Sequence, residues 1–539
     1  MAKRGSAKKQ DREIAIIDFE TDPFLHDRVP EPFACGVLWR GIYADFWGRD
    51  CWRDAADYLL SIDVPLIVYA HNGGKFDFFF MWRVLENPIK LIGGRIVSAR
   101  LGKHELRDSW SILPFALARY KKTKIDYALF EPGARQENKN EILDYLHDDC
   151  CDLMELCAAF NTRFGPRLTI AGTAMHELTQ IHPQETTGKS HDTRFRPFYF
   201  GGRVECFASG ILEGEWKVYD VNSMYPSVMA DFDHPIGLKY VQETDCKLDA
   251  DGWIVGYPGR MYFCEVSGVN LGALPQRGES AMDGLRFDVE FGTFWTTSHE
   301  LRTAIALGKF EVVEIARALI PRRVQRFGEF VAKFASEKVA AKTSGDSIGE
   351  IFAKLIMNSA YGKFGQNPEH FKDYHIAIRS VNPGSPGETW DLEQSADDWV
   401  IWSRPSEQLR YFDVAIAASV TSAARSVLMR GIANATLPIY CDTDSIICRK
   451  LDGVKLDDFA LGAWKLEATA TTAAIAGKKL YALFNGDEPV KWASKGTKLS
   501  PEAIMMIADG KTSLWKSDAP NFSLSGKTKF VSRISRKTA

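Results

Sequence analysis

The chain has 539 residues, of which 45% are hydrophobic and 12% aromatic, so it is long enough for several domains with buried cores. The formal net charge is −3, a sum in which acidic clusters can conceal basic surfaces. Its ten cysteines lack zinc-finger spacing, no apolar run reaches about 18 residues, and the basic start lacks a hydrophobic signal core. The composition therefore argues against secretion and membrane insertion, and we expect reduced thiols in a cytoplasmic protein.

Four acidic side chains in the first 150 residues are candidates for one metal site. An apolar strand runs into Asp18 and Glu20, whose spacing of two puts both on one face. Asp77 follows a glycine-bearing turn, while Tyr145 and Asp149 lie four apart on one face of a predicted helix. Four carboxylates and a phenol can bind two metal ions and orient a water for phosphodiester hydrolysis.

The first domain is predicted to end near residues 163–166, Arg-Phe-Gly-Pro, after that helix. Asp148 stands beside Asp149 and competes for the same role, but the helical spacing from Tyr145 favours Asp149. Just beyond, the glycines of residues 199–203, Tyr-Phe-Gly-Gly-Arg, permit either a close approach of two backbones or a simple tight turn.

A second set of carboxylates lies in the other half of the chain. Asp220 ends an extended run and precedes a predicted turn. Asp442 and Asp444 are two apart, so on a strand both project to one face and can share a metal with a third carboxylate. Because Mg²⁺ keeps room for water and substrate phosphates, two or three carboxylates suffice.

Between these aspartates lies a predicted helix with a polar face. Lys354, Asn358 and Tyr361 occupy positions i, i+4 and i+7, which would offer an ammonium to phosphates and an amide and a ring to base and sugar. Taken singly, an Asp-x-Asp pair is more often a solvated turn and such a stripe is usually just a polar surface. Together and in this order, the segments predict the active site of a DNA polymerase.

Two longer stretches separate these motifs. Residues 231–331 mix strand-like segments with a predicted helix around 298–307. Residues 369–408 contain a strong turn signal at 383–387 and an apolar run at 399–402, which favours a hairpin.

The motifs around Asp220, Lys354 and Asp442 resemble motifs A, B and C of family-B DNA polymerases, most closely the protein-primed branch of bacteriophages and linear plasmids. The upstream carboxylates are similar to those of DEDD-type 3′–5′ exonucleases. The resemblance covers nearly the whole chain and implies an α/β (α+β) fold: an RNase-H-like exonuclease domain followed by a right-hand polymerase of palm, fingers and thumb with two insertions. The implied domains are 1–165 exonuclease, 166–230 first part of the palm, 231–331 insertion contacting priming protein and duplex, 332–368 fingers, 369–408 second insertion for strand separation and processivity, 409–495 second part of the palm, and 496–539 thumb.

The resemblance also implies catalytic roles. It implies two Mg²⁺ ions per site, with Mn²⁺ as an alternative, held by Asp220, the Val221 carbonyl, Asp442 and Asp444 in the polymerase and by Asp18, Glu20, Asp77 and Asp149 in the exonuclease. Tyr145 would position the attacking water, and Tyr225 would reject a 2′-hydroxyl. The other implied nucleotide-binding residues are Lys342, Lys354, Asn358 and Tyr361. Glu350 stands where the family often has another lysine.

The implied DNA contacts fall into four groups. Asn72, Phe76, Ser109 and Lys122 would hold the frayed 3′ end, and Tyr199, Gly201 and Gly202 would balance the DNA between synthesis and editing. Thr421 and Arg425 would hold template and primer, and Lys479 and Tyr481 would contact the primer terminus.

These resemblances imply a DNA-directed DNA polymerase that replicates linear DNA, starts on the hydroxyl of a terminal protein, proofreads, and displaces a strand. The expected partners are primer–template and single-stranded DNA, deoxynucleoside triphosphates, the terminal protein and a single-stranded-DNA-binding protein, with no membrane; if the protein is viral, it would act in the host cytoplasm. One alternative is a family-B polymerase that extends nucleic-acid primers or needs none. The others are a non-catalytic DNA-end-binding replication factor and an exonuclease whose second half is a binding platform.

Overall fold

The computed structural model describes residues 12–25, 28–121, 123–279, 284–378, 385–395, 399–406, 410–522 and 528–537. Lys122, a predicted DNA contact, and the first part of the predicted turn at 383–387 lie outside these residues.

The described residues form both helices and strands. The helices are α1 (Cys51–Ser61), α2 (Asp77–Phe80), α3 (Lys139–Phe164), α4 (Ile170–Ile181), α5 (Lys189–Phe195), α6 (Met224–Asp231), α7 (Ser298–Ala306), α8 (Gly328–Ser344), α9 (Ser347–Phe364), α10 (Val414–Asn434) and α11 (Pro501–Ala508). The strands are β1 (Glu13–Thr21), β2 (Pro32–Trp39), β3 (Ile42–Trp47), β4 (Leu66–Ala70), β5 (Glu86–Ile92), β6 (Arg95–Leu101), β7 (His104–Asp108), β8 (Val204–Cys206), β9 (Gly210–Val221), β10 (His234–Pro235), β11 (Tyr240–Cys246), β12 (Phe263–Asn270), β13 (Gln276–Arg277), β14 (Leu285–Arg286), β15 (Phe291–Thr297), β16 (Phe310–Pro321), β17 (Val324–Gln325), β18 (Lys372–Ile378), β19 (Asp391–Ser395), β20 (Trp399–Pro405), β21 (Ala435–Thr436), β22 (Tyr440–Asp442), β23 (Ser445–Cys448), β24 (Lys450–Leu451), β25 (Trp464–Gly477), β26 (Leu480–Asn485), β27 (Glu488–Ser494), β28 (Ser513–Lys516), β29 (Asn521–Phe522), β30 (Thr528–Lys529) and β31 (Ser532–Ser535).

The chain divides into two compact units. The first contains Met1–Thr173, Glu369–Gln408 and Ser517–Val531, and the second contains Ala174–Pro368, Leu409–Lys516 and Ser532–Ala539. The predicted insertion at 369–408 therefore groups with the predicted exonuclease domain. Residues 496–539, predicted as a thumb, are shared between the two units.

The first unit is built on a sheet with strand order β19-β20-β18-β5-β6-β7-β4-β1-β2-β3. Within it, β1, β2 and β3 are antiparallel, whereas β1–β4 and β4–β7 are parallel. This is the RNase-H-like order that the resemblance implied. The apolar odd positions Ala15, Ile17 and Phe19 of β1 share a core with α1 residues such as Leu59. The alternation of the strand turns the intervening acidic residues to the other face.

The second unit is built on the antiparallel sheet β27-β26-β25-β9-β23-β22-β8. α10, rich in alanine and serine, is buried along most of its length and contacts α6, α7 and α9. Small side chains allow these helices to approach closely. Residues 231–331 contribute a separate four-stranded sheet, β11-β16-β12-β15, and α7, which matches the predicted helix.

These mixed helices and sheets confirm the predicted fold class. No helix in the described part of the chain has both the length and the apolar character needed to span a bilayer.

Two candidate active sites

The three predicted polymerase carboxylates converge at neighbouring strand ends of the second unit. Asp220 lies near the end of β9, and the register pairs it with Ser445 at the start of β23. Asp442 ends β22, so the tight turn at Thr443 and Asp444 joins β22 to β23. The backbone N–H of Val221 donates to the Asp444 carbonyl at 2.8 Å. Strand pairing therefore brings together residues separated by more than two hundred positions.

The charges of this cluster repel each other and are partly removed from water. Burial, together with the charges of Asp220 and Asp442, raises the pKa of Asp444 to about 7. Burial also raises the pKa of Asp220. The Lys479 ammonium donates to both carboxylate oxygens of Asp442, at 2.7 Å for Oδ2. Concentrated carboxylate charge of this kind suits a divalent cation bound by oxygen ligands.

The structure adds an acidic residue that the sequence patterns missed. Glu467 lies on β25, and its charge raises the pKa values of both Asp220 and Asp444. The strand register places Lys465 opposite Asp220. The Lys465 Nζ atom lies 2.9 Å from Oε1 of Glu467 and 3.8 Å from Oδ1 of Asp220. Lys491 also forms an ion pair with Glu467. Only the register of β25 against β9 and β26 against β27 reveals this group, because no short motif contains it.

The predicted nucleotide-binding residues lie on two helices. Tyr225 on α6, directly after β9, stacks on Tyr361 of α9 with ring centroids 3.8 Å apart and planes 14° apart. Lys354 and Asn358 lie on the same helix α9, and the Asn358 amide donates to the Lys354 carbonyl at 2.9 Å. The stacked rings form a flat aromatic surface next to the strand that carries Asp220.

The second predicted phosphate cation, Lys342, lies in the last turn of α8. Its ammonium is 5.8 Å from the ring centroid of Phe459, a residue that is 85% exposed. Glu350 lies in the first turn of α9, whose N-terminus is capped by the Asp346 side chain through the Gly349 N–H at 2.8 Å.

The Tyr-Phe-Gly-Gly segment packs directly behind the aspartate turn. A Cβ atom at Gly202 would lie 2.8 Å from the Thr443 side chain, so only glycine fits without displacement. The Thr443 N–H donates to the Arg203 carbonyl at 2.7 Å. The Tyr199 ring lies against Gly365, just after α9. The close contact at Gly202 is therefore with a side chain, that of Thr443, and not with another backbone.

Two predicted template contacts lie inside the second unit. Thr421 and Arg425 of α10 are each 2% exposed. The Thr421 hydroxyl donates to the Ala417 carbonyl at 3.1 Å. Arg425 is bound by Glu300 and by the carbonyls of residues 200 and 201. A direct contact of either side chain with DNA stays a prediction.

The predicted primer contacts lie beside the aspartates. The Lys479 N–H donates to the Tyr440 hydroxyl at 2.9 Å, while Tyr481 packs on the Tyr440 ring with centroids 4.9 Å apart. Lys479 and Tyr481 therefore flank the strand that ends at Asp442.

The first unit brings the upstream carboxylates together. Asp18, Glu20 and Asp149 each place an oxygen within 4.8 Å of the others. Burial is the main cause that raises the pKa of Asp18, Glu20 and Asp149. The charges of Asp77 and Asp149 add to the effect on Asp18 and Glu20, whereas the charges of Asp152 and Asp148 add to the effect on Asp149. Burial also raises the pKa of Asp77 to about 7.

Tyr145 and Asp149 share one face of α3, as the spacing predicts. A hydrogen bond from Tyr145 offsets part of the effect of burial on the pKa of Asp149. The neighbouring Asp148 is exposed and accepts a hydrogen bond from the Thr123 hydroxyl at 3.2 Å. Asp149 is therefore the residue that faces the cluster.

The residues of this second cluster fit a hard divalent cation. Asp77 is 1% exposed, and its Oδ1 atom has no hydrogen-bond partner among the described residues. An unpaired buried carboxylate oxygen, on a residue whose charge also raises the pKa of Asp18 and Glu20, is costly unless a cation compensates it. The all-oxygen donor set matches Mg²⁺ or Mn²⁺.

Two of the predicted single-strand contacts, Asn72 and Phe76, precede α2, which begins at Asp77, and the third, Ser109, directly follows β7. Asn72 adopts a left-handed conformation with φ of 61°, and its Oδ1 accepts from Arg95 at 2.8 Å. Phe76 packs on Phe80 with ring centroids 5.0 Å apart. Ser109 is fully buried, and its hydroxyl donates to the Ala70 carbonyl at 3.2 Å. The role of these residues in binding DNA stays a prediction.

Comparison with known proteins agrees with this geometry. Residues 120–447 match the family model for DNA polymerase type B, organellar and viral. The DNA-directed DNA polymerase of Enterobacteria phage PRD1 is 43% identical over 566 aligned positions, covering 99% of this chain and 100% of that protein. The DNA polymerase of Streptococcus phage Cp-1 is 23% identical, covering 68% of this chain and 65% of that one.

Solved structures share the fold. Phi29 DNA polymerase complexed with primer-template DNA superposes with a TM-score of 0.73 at 18% identity, covering 98% of this chain and 100% of that one. Its ternary complex with incoming nucleotides gives 0.70 at 19% identity. With the family match and the phage relative, these findings show that the chain belongs to the organellar and viral type B DNA polymerases and is a DNA-directed DNA polymerase.

Proposed function

We propose that this polymerase replicates linear DNA from its ends, adding the first nucleotide to the hydroxyl of a terminal protein and correcting errors with its own 3′–5′ exonuclease. The similarity to a phage polymerase along the whole chain carries the proposal. In support of it, residues 231–331 lie between Tyr225 and α9 in the chain and contain a separate four-stranded sheet. We assign that insertion to contacts with the priming protein and the duplex.

For synthesis, we assign the metal ligands to Asp220, the Val221 carbonyl, Asp442 and Asp444. Two bound Mg²⁺ ions would stabilise negative charge on the attacking and leaving oxygens. The proposed nucleotide site is formed by Tyr225, Tyr361, Asn358, Lys354 and Lys342. We assign Tyr225 to the exclusion of a 2′-hydroxyl and the two lysines to binding of the triphosphate.

For editing, we assign the metal ligands to Asp18, Glu20, Asp77 and Asp149. Tyr145, already hydrogen-bonded to Asp149, would orient the attacking water. Mg²⁺ is the proposed ion in both sites, with Mn²⁺ as the alternative.

The remaining assignments follow the same family. Residues 369–408 would separate strands ahead of synthesis, and a single-stranded-DNA-binding protein would be a further partner. The proposed DNA contacts are Asn72, Phe76, Ser109, Lys122, Tyr199, Gly201, Gly202, Lys479 and Tyr481. Thr421 and Arg425 are buried and hydrogen-bonded within the protein, so we assign them an indirect role in holding template and primer. Kinship with phage polymerases makes the host cytoplasm the proposed place of action.

The way in which synthesis starts can be tested directly. The purified protein is incubated with Mg²⁺ and labelled deoxynucleotide, with a primed template in one tube and a candidate priming protein plus origin ends in another. Label attached covalently to the priming protein is the expected result. Incorporation on the primed template alone, across candidate priming proteins, would favour the alternative of nucleic-acid primers. Retained DNA binding without incorporation in either tube would favour a non-catalytic replication factor.

The division into two sites has its own test. Asp442→Ala should abolish extension and preserve exonuclease activity, whereas Asp18→Ala with Asp77→Ala should do the reverse. If either lesion removed both activities while the protein stayed folded, the assignment of two separate sites would be wrong.

A further inference from the structure

We propose that Glu300 is a positioning residue for the polymerase site. Through Arg425, it holds the backbone of residues 200–203 against the turn that carries Asp442 and Asp444. This inference rests on the proposed catalytic role of those two aspartates. It assigns a function to a residue of the insertion that carries no recognisable motif.

The first link is a fully buried ion pair. The side chains of Glu300 on α7 and Arg425 on α10 are 1% and 2% exposed. The guanidinium binds the carboxylate through two parallel hydrogen bonds, Nε to Oε1 at 2.8 Å and Nη2 to Oε2 at 2.7 Å. The Ser422 hydroxyl also donates to Oε2, at 3.3 Å. Such a bidentate pair fixes the plane of the guanidinium, and loss of either charge leaves the other uncompensated in the interior.

The second link runs from the guanidinium to the backbone. The remaining nitrogen, Nη1, donates to the consecutive carbonyls of Phe200 and Gly201, both at 2.9 Å. Arg277 reinforces the segment, because it donates to the Tyr199 carbonyl at 2.7 Å and lies 4.4 Å from the Phe200 ring centroid. The two arginines thus bind the carbonyls of three successive residues.

The third link reaches the proposed metal ligands. Gly202 lies so close to Thr443 that an added Cβ would be 2.8 Å from its side chain. The Thr443 N–H donates to the Arg203 carbonyl at 2.7 Å, and the Thr443 hydroxyl donates to Oδ1 of Asp442 at 3.0 Å. A continuous series of direct contacts therefore joins Glu300 to Asp442.

This series explains why Arg425 is buried in a protein that binds an anionic polymer. All three nitrogens of its guanidinium donate to protein groups, so its charge supports the backbone of the segment. The same series of contacts connects α7, which belongs to the insertion, with the turn that carries Asp442 and Asp444.

The test compares Glu300→Gln with Glu300→Asp and with a matched control. Glutamine keeps the shape of the side chain and one acceptor but removes the charge that orients Arg425. Glu265→Gln is the control, because Glu265 pairs with Arg317 at 3.3 Å within the same insertion and is not part of the series of contacts described above. Extension is measured against Mg²⁺ and deoxynucleotide concentration, and exonuclease activity on single-stranded DNA is the internal standard.

For Glu300→Gln we expect kcat for extension to fall by roughly 10- to 100-fold, because small displacements of catalytic groups have effects of this size. The Mg²⁺ concentration for half-maximal extension should rise, whereas KM for the nucleotide and the exonuclease rate should stay unchanged. Glu300→Asp should recover part of the loss, and Glu265→Gln should match the wild type.

Three results would overturn the proposal. The first is unchanged kcat and Mg²⁺ dependence in Glu300→Gln. The second is a loss that appears only as weaker DNA binding with a smaller salt dependence, which would make Arg425 a phosphate contact. If Glu300→Gln does not fold, Gly202→Ala replaces it in the test. This variant leaves the ion pair intact and should raise the Mg²⁺ concentration for half-maximal extension in the same way. The third result that would overturn the proposal is a wild-type Mg²⁺ dependence in Gly202→Ala. Retained extension in Asp442→Ala would instead refute the underlying function.

Discussion

Replacement of Asp77 by asparagine should remove exonuclease activity and at the same time stabilise the metal-free protein. Asp77 is 1% exposed, its charge raises the pKa of Asp18 and Glu20, and one of its oxygens has no hydrogen-bond partner in the described structure. Asparagine keeps the shape and removes the buried charge. Catalytic function and stability therefore oppose each other at this position.

The magnitude follows from the pKa. Burial raises the pKa of Asp77 from 3.8 to about 7, and each unit corresponds to 1.36 kcal/mol, so the ionised carboxylate costs about 4 kcal/mol. The substitution also loses one hydrogen bond from the backbone to the carboxylate, which lowers the free energy of unfolding by about 1 kcal/mol. The net gain for Asp77→Asn above pH 7 is therefore about 3 kcal/mol.

The sign of the pH dependence is fixed by the direction of the shift. Because the pKa of Asp77 is higher in the folded than in the unfolded protein, its ionisation does not lower the free energy of unfolding below about pH 4. The loss of stability grows as the pH rises and is complete above pH 7. The advantage of Asp77→Asn should consequently be complete at pH 8 and fall by more than half at pH 5.

Urea unfolding in EDTA at both pH values measures this difference. Asp57→Asn, at an exposed position of α1, is the matched control and should have little effect. Added Mg²⁺ should stabilise the wild type more than Asp77→Asn. If Asp77→Asn were no more stable than the wild type at pH 8 without metal, the reasoning from a buried, uncompensated charge would be refuted.

Three further predictions concern the polymerase site. Tyr225→Val should raise ribonucleotide use, measured as the ratio of kcat/KM values, by about 10- to 100-fold, because it removes the ring that stacks on Tyr361; unchanged discrimination would argue against a steric gate. Lys479→Met leaves Asp442 without its ammonium partner and should slow extension roughly tenfold with no effect on the exonuclease; equal loss of both activities would contradict this. Since burial raises the pKa of Asp444 to about 7, protons compete with Mg²⁺, and the half-activating Mg²⁺ concentration for extension should rise between pH 8 and pH 6; a constant value would refute this.

Much of the candidate chemistry could be predicted from local spacing. The two-residue period of a strand places Asp18 and Glu20 on one face, and the structure brings both to Asp149. The 3.6-residue period of a helix selects Asp149 over Asp148, whose side chain is exposed and bonded to Thr123. These features depend only on neighbouring residues, so the sequence alone is sufficient to predict them.

Other features depend on which distant segments meet. Nothing local marks Glu467, which reaches Asp220 and Asp444 only through the register of β25 against β9. Arg425 has the sequence context of a DNA contact, yet its guanidinium forms a buried ion pair with Glu300 on a helix that is remote in sequence. The division of residues 496–539 between two units likewise depends on long-range packing.

The amino-acid order therefore specified the chemical groups, their spacing and the overall fold class, because strand and helix geometry repeat over a few residues. The tertiary structure alone decided which charges neutralise one another and which are buried. Those outcomes depend on strand register and helix packing, which bring together partners such as Glu300 and Arg425 that no short window of sequence contains.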